Sequence, residues 1–211
     1  MILSLIILYV LTLIYLATTE RFRNAATIMS LQGWILMAIA IVRLHTLNWA
    51  ELTFIIAETA LFKGIIVPAI LFSVIRRTKI NRIKASGSSQ FHSLLLSLVA
   101  LTASVSLTYV LADEASKVNV VFFCVALYSL LSGLVLIVLR TRIFSHLVGF
   151  LVIENGVFLF STAIGVEMPH LINIGIMLDI LISILMLGIF LTKIDDKLHS
   201  DDTDRLTHVK D

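Results

Sequence analysis

Four ionisable side chains lie inside long apolar stretches of the sequence: Glu58, Lys63, Glu154 and Asp179. A charge within a lipid bilayer is costly unless it is paired, hydrated or neutralised, so such residues commonly belong to ion pathways. Carboxylates and a lysine amine can each accept and release a proton. We therefore interpret these four residues as a proton relay. The alternative is a buried acid–lysine pair that only holds helices together.

Three neutral or weakly basic side chains in the same stretches are secondary candidates for the relay: His146, Gln32 and Asn155. Asn155 directly follows Glu154 in the segment LVIENGVFLF. Gln32 can equally serve as a hydrogen-bonding contact between helices. His146 is expected near the headgroups, where it is either incidental or a point of proton entry.

The composition is that of an integral membrane protein. Of the 211 residues, 59% are hydrophobic and only 14% are charged, against about 25% charged in soluble domains. The net charge of +2 does not suggest nucleic-acid binding. The sequence has one cysteine, Cys124, whereas an iron–sulfur cluster needs several thiolates. Because no catalytic triad, phosphate loop or metal-ligand spacing is present either, we expect no cofactor and no catalytic site in this chain.

Seven apolar stretches are long enough, or nearly so, to cross a bilayer, which takes about 20 residues in a helix. Continuous runs of this length exclude strands. The sequence thus predicts an all-α integral membrane protein with seven transmembrane helices. The predicted helices are 2–17, 25–42, 52–75, 91–111, 118–139, 143–164 and 169–192.

The basic residues predict the orientation of these helices. Most of the 16 lysines and arginines follow the first, third, fifth and seventh predicted helices. Loops that retain positive charge face the cytoplasm. The amino terminus is therefore predicted outside and the carboxy terminus in the cytoplasm.

The first three and last three predicted helices form a possible parallel repeat, joined by the fourth helix. Each set has a polar residue in its second helix, Gln32 or Glu154, and an acid in its third, Glu58 or Asp179, at nearly equal spacing. The predicted units are a three-helix unit with its basic loop (1–84), a linker with the fourth helix (85–117), a second three-helix unit (118–193) and a polar cytoplasmic tail (194–211).

Glu154 and Asp179 are expected at similar depth, near the bilayer midplane, because each lies about 15–17 Å along its helix at 1.5 Å per residue. Their helices are joined by a short connection and are predicted to be antiparallel neighbours. The two carboxyl groups could therefore face each other or line one hydrated path.

The third predicted helix combines Glu58, Lys63 and a proline. Glu58 and Lys63 are five residues apart and do not stack on one helix face, so we expect each to reach another helix or another subunit. Pro68 cannot donate to the carbonyl four residues before it, that of Gly64. The sequence predicts a kink between these two residues, which frees a carbonyl for water or for Lys63.

Two families resemble this sequence. The segments RTRIFSHLVGFLVIENGVFLF and INIGIMLDILISILMLGIFL resemble the NuoK-like small membrane subunit of respiratory complex I, with Glu154 and Asp179 on its two membrane acids. That family usually has Glu where this chain has Asp179. Over nearly the whole length, the helix count, AETALFKGIIVPAIL, FLVIENG and LDILISILMLGI resemble the hydrogenase-4 component E (HyfE) family.

The resemblance implies a non-catalytic subunit in the membrane arm of a group 4 NiFe-hydrogenase, formate-hydrogenlyase-type or complex-I-related assembly. Such an assembly lies in a bacterial or archaeal cytoplasmic membrane, and its redox chemistry is carried out by other subunits. The implied partners are antiporter-like subunits that move protons or sodium ions, and a soluble hydrogenase or redox module.

Two other functions remain open from the sequence. One is a structural scaffold that docks the catalytic arm through the basic loop 76–84. The other is a stand-alone secondary transporter, for which broken helices in both halves would be expected. Only the third predicted helix has a proline within its span, which disfavours the transporter.

Overall fold

The structure is a computed structural model that describes residues 2–43, 53, 57–78, 90–112, 118–140, 143–164 and 188. Within these ranges the chain is helical apart from short connections, and no β-strand forms. Asp179, most of the seventh predicted helix and the tail 194–211 lie outside the described residues. Their places in the molecule stay predictions.

Six helices correspond to the first six predicted ones. The third begins as a π-helix and continues as an α-helix, and we treat it as one element. The helices are α1 (Ile2–Thr18), α2 (Phe22–Arg43), α3 (π-helical Ala57–Ile66 and α-helical Val67–Thr78), α4 (Gln90–Ala112), α5 (Val120–Leu139) and α6 (Ile143–Ile164). Their ends differ from the predicted ends by a few residues where both are described.

Four of these helices, α2, α4, α5 and α6, are long and apolar enough to cross a membrane. Helix α1 and the central part of α3 are shorter apolar helices. The prediction of an all-α fold is confirmed for the described residues, with four helices that are candidates for membrane spans. The count of seven spans and their orientation stay predictions. The helical form follows from the surroundings, because a backbone in lipid must satisfy its own hydrogen bonds.

Helices α5 and α6 form an antiparallel pair in close contact along their length. The Asn119 side-chain oxygen caps α5 by accepting a hydrogen bond from the Phe122 backbone N–H. The Asn119 backbone N–H donates to the Ala163 carbonyl near the end of α6. A Cβ added to Gly133 would lie 2.7 Å from the Gly149 carbonyl oxygen. The two backbones therefore touch, which only small residues allow.

Helix α3 changes from π- to α-helical at the site of the predicted kink. Pro68 has no amide hydrogen to give to the Gly64 carbonyl. That carbonyl instead accepts a hydrogen bond of 2.8 Å from the Ser30 hydroxyl on α2. The donor observed is therefore a hydroxyl of the neighbouring helix α2, whereas water or Lys63 was predicted. The kink itself stays a prediction.

Helix α2 occupies a central position, in contact with α1, α3 and α6. Its contact with α6 joins the second helices of the two proposed repeat units; the unit boundaries themselves stay predictions. Fully buried side chains of α1, α2, α3 and α6 fill the space between the helices; examples are Leu13, Leu36, Leu71 and Val152. The outer face of α4 is largely exposed, as expected of a helix that faces lipid.

Candidate intramembrane ion-pair site

The centre of the site is an ion pair between α3 and α6. The Lys63 Nζ atom lies 3.0 Å from the Glu154 Oε1 atom, and the two side chains are only 8% and 14% exposed. Lys63 thus reaches a different helix, as predicted from its five-residue spacing from Glu58, which does not place the two side chains on one helix face. Opposite charges at this distance relieve much of the cost of placing each one in the membrane.

An aromatic ring supports the same ammonium group. The Lys63 Nζ atom lies 5.2 Å from the centroid of the Phe158 ring. Phe158 is four residues after Glu154, so the carboxylate and the ring project from one face of α6. A cation at this distance is attracted to the face of the ring. Helix α6 therefore holds Lys63 by two groups, one charged and one aromatic.

A second polar group lies beside the pair and joins three helices. The Gln32 Oε1 atom on α2 accepts a hydrogen bond of 3.1 Å from the Asn155 Nδ2 atom on α6. The Gln32 Nε2 atom donates at 3.0 Å to the Thr12 hydroxyl on α1, and that hydroxyl donates to the Tyr9 carbonyl. Gln32 is fully buried. Both of these hydrogen bonds join α2 to a neighbouring helix.

A tyrosine on α1 completes the polar surroundings. The Tyr9 hydroxyl is fully buried and lies 2.9 Å from the Ser129 hydroxyl on α5. Ser129 donates in turn to the Val152 carbonyl on α6 at 2.9 Å. Hydroxyl groups thus join α1 and α5 to α6 at the Val152 carbonyl, two residues before Glu154.

The backbone of Lys63 is in direct contact with α2. A Cβ added to Gly33 would lie 2.7 Å from the Lys63 carbonyl carbon and 2.8 Å from the Gly64 nitrogen. Real Cβ atoms do not approach backbone so closely. Glycine at position 33 is therefore what allows α3 to lie against α2 at the level of the ion pair.

The end of α5 carries a second buried cation, outside the membrane-spanning segments. The Arg140 Nη2 atom donates to the Leu16 and Ala17 carbonyls at 3.1 and 3.0 Å, and so caps α1. Burial lowers the pKa of the Arg140 guanidinium to about 10, while the Glu20 carboxylate acts to raise it. Arg140 therefore stays charged at neutral pH. His146 hydrogen-bonds to the Arg140 carbonyl.

The structure brings most of the described candidates together. Lys63 and Glu154 form the pair, while Asn155 and Gln32 form the adjacent amide bridge. His146 is not part of this group: it lies two helical turns from Glu154, which is about 12 Å along the axis. Its role as a proton entry point stays a prediction.

The remaining two candidates cannot be placed at the site. Asp179 lies outside the described residues. Glu58 belongs to the π-helical part of α3, but its side chain is outside the described part of the chain. Their proposed roles in the relay stay predictions.

Several residues of the site were not found from the sequence, among them Phe158, Tyr9 and Thr12. Phe158 could have been found, because it is one helical turn from Glu154 and shares its face. Tyr9 and Thr12 are likewise one turn apart in a short apolar helix, but nothing in the sequence assigns them to α6 or α2.

The pair has simple chemistry. A proton can pass directly from the Lys63 ammonium to the Glu154 carboxylate, which converts an ion pair into a neutral amine and carboxylic acid. The net charge of the pair is zero in both states, so the exchange adds no charge to the membrane interior. Net movement of a proton needs further groups on each side. Among the described residues, no cluster of His, Cys, Asp and Glu could hold a metal ion.

In comparisons with known proteins, the chain matches no family model, no curated protein and no solved structure. A function therefore has to be inferred from the residues and their geometry.

Proposed function

We propose that this chain is an ion-translocating subunit in the membrane arm of a larger redox-driven complex. In this role it contributes protonatable side chains to the movement of protons or sodium ions, and other subunits carry out the redox chemistry. The resemblance to the hydrogenase-4 component E and NuoK-like families suggests a group 4 NiFe-hydrogenase, formate-hydrogenlyase-type or complex-I-related assembly.

The observation that carries the proposal is the Lys63–Glu154 pair. A purely structural helix contact needs only apolar packing and neutral hydrogen bonds, which α5 and α6 already use. A lysine and a glutamate at 3.0 Å add two groups that exchange protons. Ionisable residues retained inside a bilayer commonly belong to ion pathways.

The proposal includes seven spans, with the amino terminus outside and the carboxy terminus in the cytoplasm. Four long apolar helices and two shorter ones support a multi-pass arrangement, and the basic loops support the orientation. In this topology Asp179 is the counterpart of Glu154 on the next helix, and Glu58 is a further relay group near Lys63.

The alternative function is a membrane scaffold that docks the catalytic arm. The specific observation in its favour is that Lys63 is held by both a carboxylate and an aromatic ring, as expected of a fixed contact between α3 and α6. In that case the pair stabilises the complex but moves no proton.

The replacement Glu154→Gln separates the two functions. It keeps the shape of the side chain and removes its ability to exchange a proton. The complex would be purified with its partner subunits, identified by copurification, and reconstituted into vesicles. Ion uptake and redox rate would be measured together.

The expected result is that ion uptake falls by at least about tenfold, because a proton-transfer group is lost. The replacement leaves Lys63 without its carboxylate and lowers complex yield, so ion uptake and redox rate are compared per purified complex. The redox rate per complex should stay close to wild type. The matched control is Glu20→Gln, the same change at an exposed acid beyond the end of α1. Normal ion uptake in Glu154→Gln would contradict the relay, and a loss that follows complex yield would favour the scaffold.

A further inference from the structure

We infer that Gln32 is a positioning residue that sets the separation of Lys63 and Glu154. The inference rests on the proposed function, because it concerns the geometry of the same pair. Among the described residues, Gln32 forms hydrogen bonds with Thr12 and Asn155. It acts through Asn155, the neighbour of Glu154 on α6, while the next residue of α2, Gly33, contacts Lys63.

The hydrogen-bond directions leave the Gln32 amide one orientation. The Thr12 hydroxyl has a single hydrogen, which it donates to the Tyr9 carbonyl. It can therefore only accept from Gln32, so the Nε2 atom of Gln32 must face Thr12. The Oε1 atom then faces α6 and must receive its hydrogen from Asn155. In this series of hydrogen bonds, Thr12 fixes the orientation of the Gln32 amide, and Gln32 fixes that of the Asn155 amide.

This fixed amide controls the position of Glu154. Asn155 is buried and bonded to Gln32, so the rotation of α6 about its axis is restrained at this level. Glu154 is the adjacent residue and turns with it. A change in the Gln32–Asn155 contact therefore changes the direction in which the Glu154 carboxylate points.

The same turn of α2 controls the position of Lys63. Gly33 lies against the Lys63 backbone with no room for a methyl group, and Ser30 bonds to the Gly64 carbonyl. Helix α2 thus contacts α6 through residue 32 and α3 through residue 33. Gln32 and Gly33 therefore set the distance between the Lys63 Nζ atom and the Glu154 carboxylate, across which a proton passes.

The test compares three forms of the reconstituted complex: Gln32→Leu, Gln32→Asn and the exchange Gln32→Asn with Asn155→Gln. The measured quantity is the number of ions moved per redox turnover. This ratio does not depend on how much complex assembles, so a merely structural role would leave it unchanged. Gln32→Asn is the milder variant, since its side chain is shorter by one carbon–carbon bond of about 1.5 Å.

We expect both single replacements at Gln32 to lower the ratio by about fivefold, because the loss of one buried hydrogen bond lowers the population of the aligned Lys63–Glu154 geometry by about this factor. The exchange restores the combined length of the two side chains and should return the ratio to within about twofold of wild type. The control is Ser97→Ala, which removes a buried hydrogen bond to Tyr128 between α4 and α5, away from the pair. It should leave the ratio unchanged.

An unchanged ratio in both single variants would overturn the inference, as would an exchange no better than Gln32→Asn alone. Glu154→Gln in the same assay distinguishes a failure of the proposed function from a failure of the positioning role of Gln32. Its failure to lower ion movement overturns the proposed function together with this inference. A loss in Glu154→Gln but not in the Gln32 variants overturns the positioning role alone.

Discussion

Removal of one member of the ion pair tests whether the other is tolerated as an isolated charge. The replacement Lys63→Met keeps an unbranched apolar side chain of similar length and removes the ammonium. Glu154, which is 14% exposed, then has no cation at 3.0 Å. We expect the free energy of unfolding to fall because a buried carboxylate without a partner is strongly disfavoured.

The size of the effect can be bounded. Breaking a buried pair on one side costs about 3–5 kcal/mol. The lost attraction to the Phe158 ring adds about 0.5–2 kcal/mol.

The assay is unfolding of the purified chain in mixed detergent micelles, followed by intrinsic fluorescence. The double variant Lys63→Met/Glu154→Leu is the matched comparison, because it leaves no charge behind. It should lie within about 1 kcal/mol of wild type, as replacement of a buried pair by apolar residues often does. A double variant as unstable as Lys63→Met alone would refute the reasoning.

Two further predictions concern packing and hydroxyl groups. Gly33→Ala should destabilise the chain by about 1–3 kcal/mol, because its Cβ would lie 2.7 Å from the Lys63 backbone. Gly64→Ala, whose Cβ would have no neighbour closer than 3.5 Å, should be tolerated in the same unfolding assay. The Ser132 hydroxyl is buried and has no hydrogen-bond partner in the described part of the chain. Ser132→Ala should therefore be neutral or stabilising, whereas Ser97→Ala, which removes a bonded hydroxyl, should cost about 1 kcal/mol; the opposite order would contradict this assignment.

The helices and the ionisable residues could be predicted from the sequence because both are local properties. The length of each apolar run determines whether it can span a bilayer, and a proline that lacks an amide hydrogen, Pro68, predicts an irregularity in α3, close to where the helix changes from π- to α-helical. Glu154 and Lys63 were recognised because each interrupts an apolar run. None of these predictions requires knowledge of which helices are neighbours.

The pairing of Lys63 with Glu154 could not be predicted, because it depends on how the helices pack. The sequence favoured a neighbour for Glu154 on the next helix of the chain, where Asp179 lies. The structure gives Glu154 a partner on α3, and Asp179 stays outside the described residues. The contact of Gln32 with Asn155 likewise depends on α2 and α6 being neighbours, which no local pattern specifies.

The hydrogen bond from Ser30 to Gly64 also bears on the biogenesis of the protein. Helix α3 cannot satisfy all of its own backbone in lipid, because Pro68 leaves the Gly64 carbonyl without its usual donor. The missing donor comes from α2, which is synthesised first. Helix α3 is therefore complete only after it has met α2, and the two should leave the insertion machinery as a pair. An unbonded carbonyl in hydrocarbon would otherwise penalise α3 alone.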